Sequence, residues 1–161
     1  MYGGMCTSEY TQSLLNLSES ANKSEGVKLT TIFLGNESLI QRGRNTIAHH
    51  FMNLPDATHL LFIDADIKFR VEDVVKMIQA DKSLIIGPVA LKGYEWEEIR
   101  QAAINGEDDI QRTGGVFNIN KLPGVDMVDE NEPFEIEHGG NAFMMIRRDC
   151  FETLKPHTPI Y

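Results

Sequence analysis

Asp64 and Asp66 stand one residue apart at the end of the apolar run "HLLFID", and no other residues have a type and spacing that suggest chemistry so directly. A buried strand gains nothing from carboxylates at its tip, because desolvating an unpaired negative charge is costly or forces protonation. Residues two apart in a strand share a face. Both carboxylates are therefore expected to point into the crevice at the carboxyl end of an open α/β sheet. Two hard oxygen donors aimed at one point suit Mn²⁺ or Mg²⁺, with coordination positions left open for phosphate oxygens. The plainer alternative is a pair of turn or helix-cap aspartates ahead of the helical stretch "VEDVVKMIQA".

A positive partner is offered by "SLIQRGRNTIAHHFM", residues 38–52. Its apolar stripe runs Ile40, Ile47 and Phe51, and Arg44 falls on the same stripe. Arginine cannot shed its proton to suit burial, so an inward Arg44 needs an anion whose geometry matches its planar fork of donors. A structural aspartate or a stem lying over the core would serve equally. Arg42 falls on another face and is expected in solvent, and Asn45 offers both a donor and an acceptor. Gly43, unfavourable in a helix interior, predicts close approach by another element. His49 and His50 are adjacent on the helix and diverge by about 100°, so they do not chelate one ion as an i, i+4 pair would.

The elements that must position these residues alternate. Strand-like runs at 28–35, 59–64, 83–89 and 142–147 are separated by helical patterns over Thr7 to Leu17, Ser38 to Asn53, Val71 to Ala80 and Trp96 to Asn105. This order predicts a single α/β domain, a sandwich with a largely parallel central sheet. From Gly106 to Glu132 the chain is acidic and turn-rich, which predicts a loop or a lid above the sheet. A formal charge of −9 without a Lys/Arg cluster excludes a general affinity for nucleic-acid backbone. No apolar run approaches the ~20 residues of a membrane span, and "MYGGMCTSEY" lacks the parts of an export signal, so a cytoplasmic chain without membrane insertion is expected. Cys6 and Cys150 have no metal-ligand spacing and read as reduced packing residues.

Four stretches taken in order, "SLIQRGRNTIAHHF", "THLLFIDADIKF", "LIIGPVALKGYEWEEI" and "FEIEHGGNAFMMIRRDCFETL", resemble the nucleotide-sugar-dependent glycosyltransferases of GT-A fold, especially the compact ones of viruses and phages. The resemblance spans most of the chain and implies a three-layer GT-A-like sandwich. It also implies transfer of a sugar from a UDP- or GDP-linked donor to a glycan, protein or lipid acceptor. On this basis Asp64 and Asp66 form the metal pair, with Asp66 the direct ligand of Mn²⁺ or Mg²⁺ and Asp64 touching ribose or metal-bound water. Arg44 pairs with the diphosphate or orients an aspartate. Tyr2 lines the nucleobase pocket with Gly3 and Gly4 beside it, and Lys92 and Trp96 border the donor or acceptor site. Gly139 and Gly140 let main chain approach a sugar that His138 or Asn141 hydrogen-bonds.

Two departures accompany the resemblance: similar proteins place a core strand ahead of "MYGG", and they continue past "ETLKPHTPIY" to an acidic pair. The chain therefore reads as truncated at both ends. The catalytic base is left unassigned, since Asp126, Asp129 and Glu130 read as solvated loop residues. Two alternatives follow from the same residues. One is a non-catalytic or split fragment that acts as a nucleotide-binding module. The other is a phosphotransferase of haloacid dehalogenase type, whose strand also ends in D-x-D. That type expects a small hydroxyl residue where Lys68 stands.

Overall fold

A computed structural model describes residues 4–108, 110, 113–125 and 132–157. The chain divides into two compact units, one of Met1–Gly87 with Asn141–Tyr161 and one of Pro88–Gly140. In the first unit, α1 (Ser8–Lys23), α2 (Ile40–Met52), β1 (His59–Ile63), α3 (Val71–Gln79) and β2 (Leu84–Ile86) lead up to the second unit, and β7 (Phe143–Arg147) and α5 (Arg148–Leu154) follow it. The second unit holds β3 (Ala90–Tyr94), α4 (Trp96–Asn105), β4 (Gly115–Phe117), β5 (Ile119–Lys121) and β6 (Ile136–Gly139).

The expected sandwich with a largely parallel central sheet does not form. Among the described residues the strands make one three-stranded sheet, β1-β7-β2, and two two-stranded sheets, β3-β4 and β5-β6, and every pairing is antiparallel. The alternation of elements predicted parallel neighbours because a helix normally carries the chain back across a sheet. Here β1 and β2 do run the same way with α3 between them, but β7 enters from the far end of the sequence and separates them. Residues 28–35, expected as a further strand, join no sheet. Strand propensity reports how well a side chain fits a pleated surface, and it is not realised without an edge to pair with.

Alternation along β1 sorts its side chains. Leu60 and Phe62 are buried with Ile146 and with Phe51 of α2, and Ile47, Met144, Cys150 and Phe151 pack around them. Phe143 faces the other way, stacked on Phe69 at 5.7 Å, and Phe69 meets Tyr10 of α1 edge-on at 6.5 Å. α1 presents a stripe at helical spacing, Tyr10, Ser13, Leu17 and Ala21, and Thr7 caps it by accepting the Tyr10 N–H. Cys150 packs against the core as expected, whereas Cys6 is exposed, its Sγ 3.3 Å from the Thr11 hydroxyl.

The end of α2 is closed from a distance. Arg148 donates Nε to the Ala57 carbonyl at 2.7 Å and Nη2 to the carbonyls of Phe51 and Leu54, with its guanidinium over the Phe51 ring. A cation among terminal carbonyls satisfies acceptors the helix leaves open and complements its dipole. In the second unit, α4 covers the residues expected to be helical, Trp96 to Asn105, while β4 and β5 occupy part of the segment expected as a loop.

Candidate functional site

β1 ends at Ile63, so Asp64 and Asp66 lie on the turn that follows and not in the strand. The same-face rule for strands therefore does not set their directions; backbone hydrogen bonds do. Asp64 N–H donates to the Ala142 carbonyl at 2.8 Å, Ile67 N–H to the Asp64 carbonyl at 3.1 Å, and Thr7 N–H to the Ala65 carbonyl at 2.9 Å. The residue between the two aspartates is thus tied to the start of α1, and the first aspartate to the start of β7.

Arg44 faces inward from α2, its side chain only 17% exposed against 49% for Asp64. Nη2 donates to Asp64 Oδ1 at 2.9 Å, and the guanidinium lies over the Phe62 ring, 4.9 Å from its centroid. Nη1 is buried and has no hydrogen-bond partner among the described residues. A buried donor without a partner is costly, and an anion entering beside Arg44 would satisfy it. Burial pushes the Asp64 carboxyl above its ordinary range, Arg44 pulls it back, and the Asp66 charge raises it again.

These groups line one cleft of about 720 Å³ within the first unit. Arg44, Asp64, Asp66 and Asn141 give it polar walls, and Ile32, Phe33, Leu39 and Ile40 give it apolar ones. Ile40, expected on the inward stripe of α2, is exposed at the first residue of the helix.

Glu37 also lines the cleft. Its carboxylate receives Arg42 Nε at 2.6 Å and Nη2 at 2.7 Å, and the Leu39 N–H at 3.0 Å. Gly43 is what lets this loop come close: a Cβ there would stand 3.2 Å from both Glu37 Cγ and Leu34 Cδ2. The bonds from Arg42, more than any other influence, hold the Glu37 carboxyl down at about 2, below its ordinary 4.5. A depressed carboxyl contributes stability that is present above the ordinary value and lost as pH falls through the folded one. The melting temperature of Glu37→Gln is therefore expected to lie below wild type at neutral pH, and the gap to close between pH 4.5 and 2. Thermal melts across that range check this.

The other expected residues are distributed differently. Asn45 is exposed and is not among the side chains that line the cleft. Lys92, Trp96, Gly139 and Gly140 belong to the second unit. Trp96 is 72% exposed at the first residue of α4, its ring 5.7 Å from that of Tyr94. Gly139 ends β6, paired with Ile119. At Gly140 a Cβ would fall 2.2 Å from Asn118 Nδ2, so that glycine makes room for Asn118. Tyr2 and Gly3 lie outside the described residues, as do Asp126, Asp129 and Glu130.

Among the described residues no group of three or more His, Cys, Asp or Glu side chains converges as a metal site. A cation held by only one or two carboxylates, with phosphate oxygens and water completing its shell, is the habit of Mg²⁺ and Mn²⁺. No helix among the described residues is long and apolar enough to cross a membrane. No family model, curated protein or solved structure matches the chain.

Proposed function

We propose that the first unit carries the donor site of a metal-dependent glycosyltransferase, which takes a UDP- or GDP-linked sugar and passes the sugar to an acceptor hydroxyl. The observation that carries this reading is the pairing of Arg44 with Asp64 in the cleft that Asp66 also lines, with one guanidinium nitrogen still to be satisfied. A nucleoside diphosphate with its divalent cation supplies an anion for the unsatisfied Arg44 Nη1 and a cation for which carboxylates are natural ligands. The cleft volume falls in the range of roughly 300–1,000 Å³ typical of small-ligand sites.

Asp64 and Asp66 would hold the cation, and Arg44 would fix the Asp64 carboxylate while giving Nη1–H to a phosphate oxygen. Bound Mn²⁺ or Mg²⁺ supplies Lewis-acid stabilisation of the charge that grows on the departing diphosphate. Arg44 adds a preorganised positive charge that no pH change removes. The apolar wall of Ile32, Phe33, Leu39 and Ile40 limits water on one side of the cleft. Release of UDP or GDP from the corresponding nucleotide sugars is expected to require Mn²⁺ and to stop on addition of EDTA. Release that EDTA leaves unchanged would contradict the reading.

A further inference from the structure

We propose that α1 is the positioning element of the Asp64–Asp66 turn and that Ser13 is its positioning residue, an inference that rests on the donor-site reading above. Ser13 is 5% exposed on a helix face otherwise made of Tyr10, Leu17 and Ala21. Alanine would fill that place as well as serine if packing were its whole role. The hydroxyl instead accepts the Phe69 N–H at 3.1 Å, across 56 residues of sequence. That N–H is buried and lies outside any strand ladder or helix, so without Ser13 the Phe69 backbone would have to turn toward water to find a partner.

The same helix holds the segment at its other end. Thr7 N–H reaches the Ala65 carbonyl at 2.9 Å, and Thr7 Oγ1 caps α1 through the Tyr10 N–H at 3.1 Å. Residues 65 and 69 are thus both fixed to the first two turns of α1, and Asp66 lies between the two fixed points. The Phe69 ring is stacked on Phe143 and set edge-on against Tyr10, so the side chain is held by packing and the main chain by Ser13. Loss of the Ser13 hydroxyl frees the main chain at one end of the segment without substituting any residue that lines the cleft. Partners hydrogen-bonded directly to a metal ligand typically tune metal affinity by about 10–100-fold, and Ser13, acting on the main chain three residues from Asp66, is expected at the lower end of that range.

The test is calorimetric titration of UDP, with Mn²⁺ present, into the wild-type chain, Ser13→Ala and Leu17→Ala. Leu17 is buried one turn further along the same face and its side chain carries no hydrogen-bonding group, so its truncation reports loss of packing alone. Ser13→Ala is expected to bind about tenfold more weakly. Leu17→Ala is expected to lose at least as much melting temperature and to bind as wild type does. Wild-type affinity in Ser13→Ala, or affinity falling in step with melting temperature in both variants, overturns the positioning role alone. Absence of Mn²⁺-dependent binding in the wild-type chain overturns the donor-site reading and this inference with it.

Discussion

Asp66→Asn is expected to abolish the Mn²⁺-dependent binding of UDP and GDP, since losing a direct carboxylate ligand should cost more than the about 10–100-fold that an outer-shell partner does. The substitution keeps the size and the turn and removes one negative charge. What is left at the turn is Asp64 facing Arg44, a pair that is neutral as a whole and has little net attraction for a dication. Asp66 is exposed and the turn is held by backbone bonds of Asp64, Ala65 and Ile67, so the fold should survive. Electron paramagnetic resonance of free Mn²⁺ in the presence of UDP reads the effect, with circular dichroism as the control for folding. Mn²⁺ bound by the variant as tightly as by wild type would remove Asp66 from the site.

Arg44→Met is expected to separate the two partners of the same site. Methionine keeps much of the buried stem volume and discards the charge. A charge-assisted hydrogen bond contributes roughly 1.5–3 kcal/mol, so losing the one proposed between Nη1 and the diphosphate should weaken UDP or GDP binding by about 10–100-fold. Mn²⁺ alone should bind no more weakly, because the two carboxylates lose their competing guanidinium. With that guanidinium gone, the Asp64 carboxyl, already raised by burial and by Asp66, should rise further. A variant that binds nucleotide as wild type does would confine Arg44 to holding Asp64 in place. Equal loss of Mn²⁺ alone and of nucleotide would show that Arg44 acts only through the aspartate.

The inward Arg44 was legible because period 3.6 places it on the stripe of Ile47 and Phe51, and the close approach at Gly43 because glycine is unfavourable in a helix unless something needs the space. The helix from Trp96 was legible to the residue. Sheet direction was not, since local pattern marks 142–147 as a strand without saying which neighbour it joins or which way it enters. Residues 28–35 carry the composition of a strand, yet whether an edge exists to receive them is a property of the whole chain. The support of the aspartate turn was invisible for a related reason. Ser13 reads as a small residue on an apolar face, and only the fold reveals a backbone N–H waiting opposite it. Lys92, Trp96, Gly139 and Gly140 are expected at the site from the resemblance alone, and they belong to the second unit.

The claim that Asp64, Asp66 and Arg44 form one site for a divalent cation and a nucleoside diphosphate is tested most directly by calorimetric titration of UDP and GDP into the wild-type chain, with and without Mn²⁺. Saturable binding of one of the two nucleotides that appears only with the metal is the predicted result. A folded chain that binds neither nucleotide, or binds one equally well in EDTA, would contradict it.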